Sequence, residues 1–250
     1  MKHSAEQKGL RLSSLRRTYL IRFGGRIVIL LTIICIYFSS PEQLETLYGM
    51  NFFQRFSFLH ILWIIWMLDM VQQLLPISRK IALGSQKMFR HRYQAVSENF
   101  DRTALKESAA SATRQAYKIF VLWSAFIAVL GILHFLKWLS HAQLFLISVC
   151  FYVCDLICVL FWCPFRLIMK NRCCTTCRIF NWDHLMMFTP MLFIKGFYTY
   201  SLLIVAAMIW ASWELCVIIH PERFSEQTNK ALRCSACTDK LCTQYCRKNH

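Results

Sequence analysis

Long, unbroken apolar stretches separated by short polar and basic segments run along the chain. Neither an amphipathic soluble helix nor an alternating strand produces that pattern. The first stretch, Ile27 to Phe38, is short for the about 20 residues that cross a bilayer, unless Phe23 to Gly25 also enter while Arg22 and Arg26 snorkel to the interface. A secretory signal is the competing reading, but no Ala-x-Ala-like cleavage site follows the run. Pro41, with Glu42 and Glu45, marks an exit on the far side. The second span, Phe58 to Leu75, carries tryptophans at its centre and is closed by Pro76. Ile119 to Leu136 and Ala142 to Trp162 are separated only by KWLSH and form a helical hairpin. Its second arm ends at Cys163-Pro164, because proline cannot continue the hydrogen-bond ladder.

Ile179 to His220 is too long for one span and marginal for two. Leu202 to Ile219 is a clear span. The stretch before it, IFNWDHLMMFTPMLFI, is about 16 residues, or about 24 Å at helical rise. Charge favours counting it as a short or re-entrant fifth segment that turns at Lys195-Gly196. With six spans, seven Lys or Arg fall in the N-terminal arm, nine in the long loop, four between Cys163 and Arg178, and six in the tail, all on one side. Only Arg55, Lys137 and Lys195 fall on the other. With five spans the tail charges move outside and Lys195 is stranded in the bilayer, at a cost of several kcal/mol.

The expected fold is therefore an all-α, polytopic transmembrane helical bundle of about six spans in the cell membrane, with both termini cytoplasmic. A basic arm (1–26) precedes the first two spans (27–76), a basic, partly helical loop (77–118) and the hairpin (119–162). A cysteine-rich loop (163–178), the short and final spans (179–220) and a cysteine-rich tail (221–250) follow.

Composition agrees: 56% of residues are hydrophobic and the mean hydropathy is +0.39, more than a soluble domain of this size needs. The net charge of +16 does not imply nucleic acid, because the basic residues punctuate apolar runs instead of clustering on a polar face. Their partner is the lipid bilayer, whose anionic headgroups attract juxtamembrane Lys and Arg. Only seven glycines are present, and no Walker or dinucleotide-binding pattern occurs.

Of the 13 cysteines, Cys35, Cys150, Cys154, Cys158 and Cys216 lie in apolar runs, where a thiol is a small hydrophobe. The other eight crowd into two polar segments. The tail holds Cys234, Cys237, Cys242 and Cys246, four thiols within thirteen residues. A Cys-x2-Cys pair turns both sulfurs toward one metal, and four thiolates complete a zinc site or hold an iron–sulfur cluster. Reduced, unliganded thiols or disulfides are the alternatives. The loop holds Cys163, Cys173, Cys174 and Cys177, again with a Cys-x2-Cys pair. With both segments on one face, Cys174/Cys177 and Cys234/Cys237 can close one shared site or belong to two. Metal binding leads, with iron–sulfur and zinc both open.

The Cys163-Pro164 that ends a span, followed by further cysteines, resembles the membrane-bound polyferredoxin-like proteins that pass electrons from quinol through iron–sulfur clusters. The resemblance covers Cys158 to Cys177 and implies membrane electron transfer with a quinone or a redox partner protein. The family has paired Cys-x3-Cys-Pro motifs, whereas here Cys158 precedes Cys163 at a gap of four and the tail lacks ferredoxin spacing.

Polar residues inside spans are the remaining clue, since each is costly there. Asp69, Asp155 and Glu214 lie within runs, and Asp183-His184 opens the short segment, where it can serve a metal or simply hydrogen-bond between helices. Convergence of Asp69, Asp155 and Glu214 at mid-depth would mark a transporter or a scaffold in which metal only clamps loops. His60 and His134, at similar depth, are read as interfacial residues in preference to haem ligands. Cys150, Cys154 and Cys158 recur every four residues and are read as small-residue packing. No nucleophile and base arrangement of a lipid-acting enzyme is recognisable.

Overall fold

A computed structural model describes residues 14–54, 56–76, 81–96, 102–171, 173–237, 239 and 241. Among these described residues, eight α-helices follow in chain order: α1 Ser14–Ser39, α2 Phe58–Leu74, α3 Leu83–Gln86, α4 Arg102–Phe135, α5 His141–Leu160, α6 Phe165–Met169, α7 Asp183–Phe188 and α8 Phe197–Ile219. Short 3₁₀ turns join them, and no strand forms among the described residues. Four of the helices, α1, α4, α5 and α8, are long and apolar enough to cross a membrane, and α2 is a shorter apolar helix of 17 residues. The chain is thus an all-helical, membrane-type bundle.

Where the helices begin, the sequence supplies the caps. At α5, Gln143 N donates to Ser140 Oγ while Ser140 N donates to the Gln143 side chain, the reciprocal pattern of a capping box. His60 plays the glutamine's part at α2, its Nδ1 accepting from Ser57 N at 3.0 Å. α4 differs from the sequence expectation. The polar RTALKESAASATRQA segment continues into the apolar run without a break, so the boundary placed at Lys118 falls inside one 34-residue helix. At about 51 Å it is longer than a bilayer core and projects beyond it.

α1 lies along α5, α2 along α8, and α7 sits between α5 and α8. The centre is Trp66, fully buried, with Phe145, Tyr152, Phe188 and Tyr198 around it at 5.0–6.4 Å. Exposed Val28, Leu31, Val121, Val129, Ile204 and Ile218 face outward, as an apolar solvent requires.

The difficult region, 179–194, is a broken helix: a 3₁₀ turn Phe180–Trp182, α7, and a second 3₁₀ turn Thr189–Phe193. Its start contacts Gln73 near the end of α2. Its end runs into Lys195-Gly196, where Gly49 N donates to Lys195 O and Phe197 N donates to Gly49 O. The longer rise of 3₁₀ turns lets so short a segment extend over roughly 25 Å. A glycine is needed at 196 because a Cβ there would meet Leu47 O at 2.0 Å. At the opposite end of the bundle, the tail packs on the loop after α2: Lys230 N donates to Gln94 O, Val96 N to Thr228 O, and Arg223 Nη1 to Met88 O.

Candidate functional site

Among the described residues, three charged clusters occupy the interior, and the first sits in a cavity. Arg26, on α1, is not snorkelled to the interface: it is 8% exposed, and its Nη1 donates to Asp155 Oδ2 and to Tyr152 O, both at 2.6 Å. Its guanidinium lies 3.9 Å from the centroid of the Tyr152 ring, and its Nη2 lies 4.0 Å from Asp69. Tyr152 OH in turn donates to Asp69 at 3.3 Å. A desolvated guanidinium is thus compensated by two carboxylates, a carbonyl and a π-face, which is what makes its burial tolerable.

The network continues across the cavity. Gln73 Nε2 donates to Asp183 Oδ2 at 3.2 Å, and His184 Nδ1 lies 3.2 Å from both Asp183 Oδ1 and Gln73 Nε2. Asp183 and His184 were flagged by sequence, and the structure brings them to Gln73, which sequence reasoning passed over.

The cavity between these groups has a volume of about 290 Å³. Arg26, Asp69, Gln73, Asp155, Asp183 and His184 line one part; Trp123, Phe151, Phe165, Phe180, Leu156 and Val159 make an apolar remainder. With Arg22 also on the wall, two guanidinium groups face three carboxylates, and a proton on His184 would bring the set to neutrality.

Glu214 does not join. Arg178 Nη1 donates to Glu214 Oε1 at 2.7 Å and Trp182 Nε1 donates to the same oxygen at 2.8 Å. Of the three carboxylates whose convergence would mark a transporter or scaffold, Asp69 and Asp155 line the cavity, while α8 turns Glu214 toward Arg178 at the cysteine loop. That loop has a third charge beneath it. Lys87 is fully buried, its Nζ donating to Thr175 O at 3.0 Å and to Cys177 O at 2.8 Å, with Trp213 and Phe224 rings at 5.1 and 5.5 Å. Burial lowers its pKa to about 7.

Four thiols share the cavity wall: Cys158, Cys163, Cys174 and Cys177. Cys158 sits in an apolar run, where a thiol is a small hydrophobe, yet it lines this cavity. The Cys158 side chain and the backbone at Phe165 and Arg166 draw the Cys163 pKa down to about 7 against the effect of burial. Burial pushes the Cys177 thiol up. Cys174 Sγ donates to Cys158 O at 3.7 Å. Cys173 sits at the start of the same turn, its carbonyl taken by Thr176.

Both Cys-x2-Cys pairs form 3₁₀ turns, Cys177 N donating to Cys174 O and Cys237 N to Cys234 O. Positions i and i+3 eclipse in such a turn, so each pair suits a shared partner. None of the described cysteines is in a disulfide, and no three His, Cys, Asp or Glu side chains among the described residues stand close enough to hold a metal ion. Cys242 and Cys246 lie outside the described residues.

The histidines considered for haem are bonded locally, His60 Nε2 to Phe52 O at 2.7 Å and His134 Nδ1 to Leu139 O at 2.8 Å. Cys154 is exposed, so the stripe of Cys150, Cys154 and Cys158 is not a packing seam along its length.

Comparison with family models, curated proteins and solved structures finds no match to this chain.

Proposed function

We propose that the protein binds a small, bilayer-soluble amphiphile in the cavity between α1, α5 and α7, from a six-span position in the cell membrane with both termini cytoplasmic. The observation that carries this reading is the division of the cavity wall, charged and hydrogen-bonding at Arg26, Asp155 and His184, apolar and aromatic at Trp123, Phe151 and Phe165. Binding sites are mostly apolar concavities with a few converging polar groups. Intramembrane ionisable residues that face a cavity mark such sites in membrane proteins. The six-span topology is supported by the clustering of basic residues and by the contacts of the tail with the loop after α2. A reporter fused after Arg223 is expected to read as cytoplasmic, and an external reading overturns that topology.

Val159 lines the cavity and is only partly buried, so Val159→Trp fills the space with little disturbance of the core. Native mass spectrometry of the protein in mild detergent should find a bound amphiphile on the wild type and none on Val159→Trp. Equal occupancy of the two, or a wild type that neither carries nor takes up any amphiphile offered, sinks the reading.

A second reading keeps the thiols as ligands of zinc or an iron–sulfur cluster, in electron transfer or as a clamp between loop and tail. It is favoured by the matching turns at Cys174/Cys177 and Cys234/Cys237. Metal analysis of anaerobically purified protein tests it: about one equivalent, lost in a double Cys234→Ser, Cys237→Ser variant, is the expected result, and metal-free wild type refutes it.

A further inference from the structure

We propose that the occupant of the cavity is an acidic single-chain lipid whose carboxylate or phosphate is held by Arg22. The inference rests on the reading of the cavity as an amphiphile site and names the chemical class of that amphiphile.

Tyr19, Arg22 and Arg26 recur at i, i+3 and i+7, so they share one face of α1, and all three line the cavity. Their partners differ. Arg26 is committed to Asp155 and the Tyr152 carbonyl. Arg22, one turn nearer the start of α1 and half-buried, has no hydrogen bond or ion pair among the described residues. Its guanidinium carbon lies 5.9 Å from the centroid of the Tyr19 ring, a contact that leaves the N–H fork open to an acid group. Tyr19 is buried, and its hydroxyl oxygen accepts from Ala82 N at 3.4 Å. The hydroxyl proton has no acceptor among the described residues. α1 thus puts a cation and an O–H donor one turn apart on the wall.

The carboxylates of the wall are engaged elsewhere. Asp155 takes the 2.6 Å bond from Arg26, Asp69 accepts from Tyr152 OH at 3.3 Å, and Asp183 accepts from Gln73 and lies 3.2 Å from His184. A cationic headgroup would have to displace those partners and would add to the charge of Arg22. A neutral headgroup would leave the half-buried guanidinium without a counter-ion, at a cost that grows as water is excluded. An acid group meets both donors: the planar fork of Arg22 matches two oxygens of a carboxylate or phosphate, and Tyr19 gives a further hydrogen bond.

The rest of the cavity suits a hydrocarbon chain, since Trp123, Phe151, Phe165, Leu156 and Val159 line it. Arg22 stands about 12 Å from the start of α1 at helical rise. The headgroup therefore lies near one face of the membrane with the chain directed inward, as a lipid lies in its leaflet. The net charge of +16 favours the approach of an anion.

The test uses the full chain in a neutral maltoside detergent at mildly alkaline pH, with amphiphiles that share one unsaturated chain: oleate, oleoyl lysophosphatidate, oleyl alcohol and oleylamine. Native mass spectrometry is expected to show the two acids bound at least roughly tenfold more tightly than the alcohol or the amine. The tighter of the two acids assigns the headgroup as carboxylate or phosphate. Arg22→Gln should bring the acids down to the affinity of the alcohol, with the alcohol bound as in wild type. Arg22→Lys, which keeps the charge without the fork, should retain part of the preference, and Val159→Trp should lose every amphiphile. Acids bound no better than the alcohol, or an unaltered preference in Arg22→Gln, overturns the proposal and leaves the cavity reading standing. Amine bound as tightly as the acids does the same, by assigning the polar end to the carboxylates. Should Arg22→Gln lose the alcohol as well, Arg22→Lys decides: a preference kept there supports the proposal, and a preference absent overturns it. Wild type that binds none of these amphiphiles overturns both the proposal and the cavity reading.

Discussion

Replacing Arg26 by Met should destabilise the protein by about 3–5 kcal/mol, the range for removing one partner of a buried ion pair. The loss arises less from the missing attraction than from what remains. Asp155 and the carbonyl of Tyr152 would be left in the bundle without their 2.6 Å donor, and Asp69 would lose its nearest cation. Asp155→Leu alone should be milder, since Arg26 keeps Asp69, the Tyr152 carbonyl and the Tyr152 ring. The double variant Arg26→Met, Asp155→Leu should recover much of the loss, because neither charge is then stranded. Thermal unfolding in detergent measures this as a midpoint drop on the order of 10 °C for Arg26→Met. A drop within about 1 °C would mean that Arg26 reaches the interface after all and that the cavity lacks its central cation.

That network also shows what a single sequence reveals and what it does not. Length of apolar run is a one-dimensional signal, so α2 and α5 were legible nearly to the residue, α8 at its end but not at its start, which is Phe197 and not Leu202, and the broken segment at 179–194 was legible as an anomaly. Arg26 was not. It stands at the edge of an apolar run, where snorkelling and burial look alike in composition, and its partner Asp155 is 129 residues away on another helix. The flagged carboxylates were real interior groups, but which ones share a cavity depends on helix rotation, and Glu214 was turned to Arg178 instead. Cys158 was passed over for a similar reason. Its surroundings in sequence are apolar, and its place on the cavity wall with Cys163 follows from the end of α5 at Leu160, of which Pro164 was the visible trace.

The cysteine loop was legible as a cluster, whereas the charge holding it, the buried Lys87, was hidden among nine loop cations. Its consequence is a dependence on pH whose sign follows from the shift. Burial lowers the pKa of Lys87 from 10.5 to about 7. Between those values the unfolded chain holds a proton that the folded chain does not, so stability rises with pH across that window and falls as pH drops toward about 7. Below that point both states are protonated and this contribution no longer changes. The neighbours that bear on Lys87 are Cys177, Arg178, Cys173 and Cys174. Thiols titrate in the same window, so the effect must be read as a difference between proteins. Lys87→Met keeps the volume, removes the titrating group and leaves the carbonyls of Thr175 and Cys177 without a donor, a loss of about 1–3 kcal/mol. Going from about pH 7 to about pH 9, wild type should gain roughly 2 kcal/mol over Lys87→Met, seen as a rising melting midpoint in one and a flatter one in the other. Parallel pH profiles would show that Lys87 stays charged throughout, held by the two carbonyls and the faces of Trp213 and Phe224.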